Sequence, residues 1–155
     1  MEFVMRNKRR HYVYAGGKWA EVGRGFAKFE EKKMPEVVER QYFHEGGTRV
    51  RITGYSPEIE YELDALTQGD ASKLIRGITE RELSGEAAEV RVLTVDMSAS
   101  SSGGAYPAIC RKYAVVADAS GGEDVLVYKG KLVCASPSVS GVFVVQSGVF
   151  AREVD

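Results

Sequence analysis

The sequence predicts a mainly β fold, either a β-sandwich or a partly open barrel, with one flanking α-helix. Short segments in which apolar residues alternate with polar ones recur along the chain, and turns rich in Gly or Pro separate them. Only one segment has clear helical periodicity. A chain of 155 residues with 44% hydrophobic content can bury a real core, so we expect one domain over residues 1–155.

The first elements are predicted to be a tight hairpin and a third short strand. Residues 11–16 (HYVYAG) and 18–23 (KWAEVG) have strand composition and flank a Gly-Gly pair that favours a short hairpin turn. In the next segment, RGFAKFEE, Phe26 alternates with Lys28. These features favour β-structure from the start of the chain.

The following segment, residues 30–44 (EEKKMPEVVERQYFH), has a different pattern. It is highly charged and weakly periodic, and it contains Pro35, which cannot donate a hydrogen bond within a sheet. We therefore expect a long loop or an extended arm, with an irregular strand at its end.

Residues 47–64 (GTRVRITGYSPEIEYELD) contain two opposed charge stripes. Basic side chains alternate with apolar ones in the first half, and acidic side chains do so in the second. Because strand side chains point alternately to opposite faces, each half has one apolar and one charged face. Gly54 and Pro57 interrupt the pattern, which predicts a hairpin that turns at residues 53–57.

This hairpin leaves the charged face with two interpretations. If Ile52 faces Ile59 across the turn, cross-strand ion pairs join Arg51 to Glu60 and Arg49 to Glu62, and each contributes roughly 0.2–1 kcal/mol. Otherwise the carboxylates form an open acidic stripe on the exposed face. Glu58 and Asp64 have no partner in the paired register.

The helix is predicted over residues 70–84. Asp70 is a favourable N-cap, Gly85 is a natural stop, and four apolar residues recur at helical spacing. These residues are Ala71, Leu74, Ile75 and Ile78.

The second half of the chain is predicted to return to strands. They cover residues 89–96, 106–118, 125–136 and 142–150. The serine-rich segment 98–105 (SASSSGGA) is too small to pack and is expected to be a mobile loop.

Composition and motifs favour neither an enzyme nor a metal site. The net charge of −1 gives no general attraction to nucleic acid. His11 and His44 are isolated, and the carboxylates of residues 58–64 follow one strand face instead of facing each other across a cleft. Cys110 and Cys134 fit small buried side chains of a reducing compartment, and a disulfide between them stays open. We expect no catalytic residues, no cofactor and no metal.

The sequence also indicates where the protein is made. The first residues have no long apolar core of a signal peptide, and no apolar run reaches transmembrane length. We therefore expect a soluble intracellular product without membrane insertion.

Several motifs, taken in order, resemble the major tail tube proteins of long, non-contractile-tailed bacteriophages. The segment 41–45 (QYFHE) precedes the turn Thr53-Gly54-Tyr55-Ser56-Pro57, whose letters are the most family-specific of the chain. Further similar segments are KWAEVGRGFAKFEE, Tyr106-Pro107-Ala108, Lys112-Tyr113-Ala114-Val115, Gly121-Gly122 before Tyr128-Lys129-Gly130-Lys131-Leu132, and Gly141-Val142-Phe143. One departure is Ser136-Pro137-Ser138-Val139, where the family usually has Gly-(Asn/Asp)-Pro-Val.

The resemblance implies a structural protein of the virion. Family members fold as a β-sandwich with a flanking helix, form rings of six, and stack these rings into the hollow tail tube through which DNA passes. The implied partners are further copies of the chain, the tape measure protein, the tail terminator and tail-tip proteins, and phage DNA that passes without sequence-specific binding. The implied place is the virion tail, after synthesis in the bacterial host cytoplasm.

Two sets of residues follow from this resemblance as expectations. A lumen that repels phosphates would use the acidic stripe, Glu58, Glu60, Glu62 and Asp64. Ring stacking would use the arm over residues 30–44, with the loop over residues 98–105 and the N-terminal arm as second choices. The expected contacts in the arm are Glu30, Lys32, Lys33, Glu36, Glu39, Arg40 and Tyr42.

The alternative function is a related tube or interaction module. A contractile-tail or secretion-system inner tube subunit shares the architecture, and another virion β-domain has a similar composition. The Tyr-Ser-Pro letters of the turn at residues 53–57 favour the long, non-contractile tail.

Overall fold

The computed structural model of the chain describes residues 3–5, 8–23, 25–43, 46–65, 69–99 and 103–152. Strands make up 60% of the structure, and one α-helix accompanies them in the described residues. The elements are β1 (Arg9–Ala15), β2 (Lys18–Glu21), β3 (Phe26–Lys32), β4 (Pro35–Gln41), β5 (Thr48–Tyr55), β6 (Glu58–Asp64), α1 (Asp70–Glu80), a 3-10 helix (Gly85–Ala88), β7 (Glu89–Asp96), β8 (Ala105–Gly121), β9 (Val127–Cys134), β10 (Val139–Val144) and β11 (Val149–Arg152). The predicted fold class is confirmed.

Nine of these strands form one sheet that curls into a half-barrel. Seven follow a single antiparallel path in the order β2-β1-β7-β8-β9-β6-β3. β8 is 17 residues long and pairs on one edge with two strands in succession, because residues 105–110 pair with β10 and residues 113–121 pair with β9. The sheet therefore forks at β8, and the β10–β11 hairpin leaves the main path.

Two cores lie on opposite faces of this sheet. The inner face of the half-barrel holds the larger one, against which α1 packs with Ala71, Ile75 and Ile78. On the other face of β1, β7 and β8, a smaller core packs around Phe143 of β10. β7 is buried on both sides as a result, with Val92 in the larger core and Leu93 in the smaller.

Local signals in the sequence are confirmed where they are strong. β1 and β2 form the predicted hairpin, and Gly16 and Gly17 turn it with φ angles of 59° and 81°. Such left-handed angles suit glycine and match the twist of the flanking strands. β7 covers residues 89–96 as predicted.

The helix is shorter than predicted. α1 begins at Asp70, but its N-cap is Gly69, and Asp70 lies in the first turn, where its charge favours the helix dipole. It ends at Glu80, because Glu82 turns the chain with a φ of 52° before Gly85 is reached. The predicted helix over about residues 70–84 is therefore present, with its end at Glu80.

The predicted hairpin over residues 47–64 is also wrong. β5 pairs with β4 in a separate two-stranded sheet, whereas β6 pairs with β3 and β9. β3 to β6 form one long hairpin that is interrupted on both arms, at Lys33-Met34 and at Ser56-Pro57. β5 and β6 are thus successive parts of the same arm, and the proposed turn at residues 53–57 is the junction between them.

Within the segment expected to be a long loop or an extended arm, residues 30–32 and 35–41 are paired strand. Glu30 and Lys32 belong to β3 of the main sheet, and β4 follows as part of the two-stranded ribbon. Among the exposed residues of β4, Val37 and Val38 are adjacent, so the alternation that indicates a strand is lost.

The last predicted strand, residues 142–150, is two strands. β10 and β11 form a hairpin in which Gly148 has a φ of 65°. The other predicted strands of this half, 106–118 and 125–136, correspond to β8 and β9 with shifted ends. Part of the loop predicted over residues 98–105, residues 100–102, lies outside the described residues.

The two cysteines do not form a disulfide. Both are free and partly buried. Cys110 packs against the smaller core and Cys134 against the larger, so the sheet separates them. The expectation of small buried side chains is met in part, because each cysteine packs against a core while keeping some exposure.

Candidate assembly surfaces

The ribbon of β4 and β5 is the main unpartnered surface of the described residues. Every residue of β4 is exposed, and so is every residue of β5 except Gly54. Isolated two-stranded hairpins are marginally stable in water. A ribbon of this kind is therefore expected to gain stability from a partner.

One face of the ribbon is largely apolar, although Glu39 lies on it opposite Val50. Val37 pairs with Ile52, and Val50 lies two residues from Ile52 on the same face. These side chains are between 49% and 62% exposed, and Tyr55 near the root is 52% exposed. Contiguous exposed apolar residues of this kind mark interaction surfaces in globular proteins.

The other face of the ribbon is basic. Arg40 lies directly opposite Arg49, and Arg51 lies opposite Val38 on the same face. This face of the ribbon therefore carries three arginines and Val38.

The turn residues of the sequence, 53–57, join the ribbon to the half-barrel. The Thr53 hydroxyl donates to the Glu36 carbonyl at 3.3 Å, and the Ser56 hydroxyl donates to the Glu36 carboxylate at 3.0 Å. Pro57 is buried, and its carbonyl accepts from the Cys134 amide at 3.1 Å. These contacts fix the root of the ribbon on the main sheet.

The expected inter-ring residues are distributed along this long hairpin. Lys33 lies at the root and its ammonium contacts Glu31 at 2.7 Å, while Glu36, Glu39 and Arg40 belong to the ribbon. At the far end Tyr42 is 56% exposed and Phe43 is 96% exposed. His44 and Glu45 lie outside the described residues.

The acidic stripe lies on the outer face of β6, but its partners differ from those predicted. The Glu60 carboxylate contacts the Lys28 and Lys32 ammonium groups at 2.8 and 2.6 Å, and these hydrogen bonds lower its pKa to about 2. Glu58 lies 3.8 Å from Lys131 of β9. The predicted pairs with Arg49 and Arg51 are wrong, because those arginines belong to the ribbon.

The remaining two carboxylates of the stripe, Glu62 and Asp64, differ from Glu58 and Glu60 in their ion pairing. No cation of the described residues lies within ion-pair distance of Glu62 or Asp64. Lys129 and Lys131 of β9 lie opposite Glu62 and Glu60, so lysines border the stripe along its length. The outer face is therefore interleaved in charge instead of uniformly acidic.

A second exposed apolar patch lies where the sheet forks. Ile109 of β8 pairs with Ser140, two residues from Val142 on the same face of β10. Val149 of β11 pairs with Val144 on that face as well. Ile109, Val142 and Val149 are 49%, 40% and 53% exposed. We call these three residues the fork patch.

His11 and Asp96 make local contacts in the described part of the chain. No cluster of His, Cys, Asp and Glu side chains in that part of the chain could hold a metal ion. His11 contacts the Thr94 hydroxyl at 3.1 Å and the Phe29 ring, and Asp96 accepts hydrogen bonds from Ser98 in a turn.

No helix within the described ranges is long and apolar enough to cross a membrane. A comparison with protein-family models and with curated protein sequences finds no match. The function is therefore inferred from the surfaces described above.

The exposure of the apolar face of the ribbon is not predicted by the sequence. The hairpin predicted over residues 47–64 would bury the side that carries Val50 and Ile52. The alternation of β5 gives no signal of this exposure, because β6 has the same alternation and its apolar face is buried.

Proposed function

We propose that this protein is a structural subunit that assembles with copies of itself, as the tail tube protein of a long, non-contractile bacteriophage tail. The observation that carries the proposal is the exposed apolar face of the β4–β5 ribbon. The order of the motifs around residues 41–57 supports the choice of the tail tube among assembling proteins.

Burial of the ribbon explains why a partner is favoured. Full burial of a Val or Ile side chain contributes roughly 1.5–3 kcal/mol. Val37, Val50 and Ile52 each retain about half of their exposure or more in the isolated chain. Association that covers them therefore adds free energy that the fold of one chain leaves unused.

Other features support assembly through several surfaces at once. β2, β3 and β11 each pair with one strand among the described residues, so each offers an edge for a neighbouring chain. The fork patch offers a further apolar surface. A ring needs contacts to two neighbours, and a stack of rings needs contacts along the tube axis.

In this proposal the ribbon crosses to a neighbouring subunit and the outer face of β6 lines the lumen. Interleaved Lys and Glu side chains would neither hold nor strongly repel DNA phosphates, and Glu62 and Asp64 would add the repulsive part. The tape measure protein, the tail terminator and the tail-tip proteins are the further partners in this proposal, and the virion tail is the location.

The alternative is a contractile-tail or secretion-system inner tube subunit, or another virion β-domain. It uses the same self-assembly, so the letters of residues 53–57 are what favour the long, non-contractile tail. A strictly monomeric protein is incompatible with both proposals.

The test is electron microscopy of the concentrated protein, with light scattering for mass. We expect rings or hollow tubes from the wild type, whose monomer mass is 17.0 kDa. The double variant Val50→Thr, Ile52→Thr removes apolar surface from the ribbon and should remain monomeric. The matched control Val125→Thr, Leu126→Thr changes two residues of similar exposure in the loop before β9 and should assemble normally.

Two outcomes count against the proposal. A wild-type protein that stays monomeric at every concentration and ionic strength excludes self-assembly. Tubes that form equally well from the ribbon variant exclude the ribbon as the surface that drives it.

A further inference from the structure

A recess of about 310 Å³ opens on the inner face of the half-barrel, beside the root of the ribbon. Its apolar walls come from Val92 of β7 and from Ile109 and Tyr113 of β8, and Tyr55 and Pro57 close it at the ribbon root. Its size is at the lower end of small-ligand pockets. The surface is mainly apolar with a few polar groups, as ligand pockets usually are.

Three cations from three parts of the chain line this recess. Arg9 lies on β1, Lys33 follows β3 and Arg111 lies on β8. Glu31 is the one carboxylate in the lining, and it is already engaged by Arg9 at 2.6 Å and by Lys33 at 2.7 Å. Burial acts to raise the pKa of Glu31, but the two cations lower it overall, so it stays ionised.

Arg111 is the cation of the recess that Glu31 does not contact. Its guanidinium donates to the Cys134 sulfur at 3.5 Å, and a thiol is a weak acceptor. No carboxylate of the described residues lies within ion-pair distance of it. A partly buried guanidinium with five donors and one weak acceptor is suited to bind an anion in a bidentate way.

The apolar and charged parts of the recess lie on the same strand. On β8, Ile109, Arg111 and Tyr113 occupy alternate positions on the inner face, so Arg111 has an aliphatic neighbour on one side along the strand and an aromatic neighbour on the other. A bare inorganic anion would leave the apolar walls of the recess exposed to water. An anion with an apolar body fills both parts.

We propose that this recess binds a carboxylate carried on a small apolar group, held by Arg111 and packed between Ile109 and Tyr113. The site does not depend on self-assembly. The carboxylate can belong to a free small molecule or to an acidic side chain of another chain, since both present the same group to Arg111.

The test uses benzoate as the probe and benzamide as its neutral isostere. Saturation-transfer NMR detects weak ligands on a monomer and on a large assembly alike. We expect saturable transfer to benzoate, with benzamide about tenfold weaker because it lacks the charge. Arg111→Gln should weaken benzoate binding about tenfold as well.

The matched control is Lys112→Gln, which removes the same charge one residue along β8, from the opposite face. It should bind benzoate like the wild type. A second variant, Ile109→Trp, fills the recess and leaves all three cations in place. It should abolish benzoate transfer, and because Ile109 is 49% exposed it does not depend on core repacking.

Equal transfer to benzamide and benzoate would overturn the charge recognition. Benzoate transfer that survives both Arg111→Gln and Ile109→Trp, or that is absent from the wild type, would overturn the site. To distinguish the two sources of the carboxylate, benzoate is added to the assembled protein. Disassembly by benzoate but not by benzamide indicates an acidic side chain from a neighbouring copy, and an assembly that benzoate leaves intact indicates a free ligand.

Discussion

β5 and β6 are consecutive strands with the same alternation of charged and apolar residues, yet they are buried to very different extents. In β6, Ile59, Tyr61 and Leu63 are at most 2% exposed. In β5, Val50 and Ile52 are 62% and 52% exposed. The sequence pattern is equivalent, and the surroundings are not.

The difference shows what strand alternation does and does not report. It indicates that one face of a strand is apolar, but it does not say which layer covers that face. The apolar face of β6 is covered by the core of its own chain. The apolar face of β5 has no cover within the described residues, and in our proposal a second copy supplies it.

The largest expected effect on the free energy of unfolding comes from truncating one isoleucine in each of the two strands. Ile59→Ala leaves a cavity in the core and should lower the free energy of unfolding by about 2–5 kcal/mol. Ile52→Ala removes an exposed side chain and should change it by no more than about 0.5 kcal/mol. Urea unfolding at low protein concentration, where subunits are dissociated, measures both.

In assembly the order of the two variants should reverse. Ile52→Ala should weaken tube formation, whereas any folded Ile59→Ala protein should retain it. If Ile52→Ala costs as much as Ile59→Ala in the dissociated protein, the ribbon packs against its own chain and the contrast between the strands is lost.

Acidification should affect the half-barrel and spare the ribbon. Burial, and then the Arg9 charge, lower the pKa of His11 from 6.5 to about 4. The unfolded chain therefore takes up this proton first, so stability is full above about pH 6.5 and declines as the pH falls toward 4. The total loss from this group is at most about 3 kcal/mol.

The measurement is the free energy of unfolding between about pH 7 and about pH 5, where carboxylates stay ionised. His11→Gln should flatten the slope in this range, because a neutral side chain replaces the titrating one. Ile52→Ala should keep the wild-type slope. An unchanged slope in His11→Gln would mean that another group controls the acid response.

The sequence predicts elements that depend on neighbouring residues, but not strand pairings that depend on residues far apart in the chain. The β1–β2 hairpin depends on adjacent Gly16 and Gly17, and the start of α1 depends on local periodicity, so both were predictable. The partner of β5 depends on where the long hairpin breaks, at Lys33-Met34 and at Ser56-Pro57. A break of this kind changes the pairing without changing the pattern on either side.

The candidate sites were less predictable for the same reason. The ion pairs of Glu60 depend on the neighbour across the sheet, β3, which is 28 to 32 residues away in sequence. The recess combines Arg9 and Arg111, which come together only because β7 lies between β1 and β8. Sheet order is a property of the whole chain, and short motifs do not determine it.

The smallest expected contrast uses two glycines, one in each region. A Cβ on Gly130 of β9 would lie 2.6 Å from the Val116 carbonyl oxygen and 2.7 Å from the Tyr61 hydroxyl oxygen, so backbone must shift. Gly130→Ala should therefore destabilise the half-barrel by about 1–3 kcal/mol.

A Cβ on Gly54 of β5 has only the flexible Glu36 carboxylate nearby, at 3.6 Å. Gly54→Ala should range from no change to a gain of about 1 kcal/mol, because it restricts the unfolded chain. Urea unfolding of the dissociated protein measures both variants, and a loss at Gly54 as large as that at Gly130 would show that the ribbon is as tightly packed as the half-barrel.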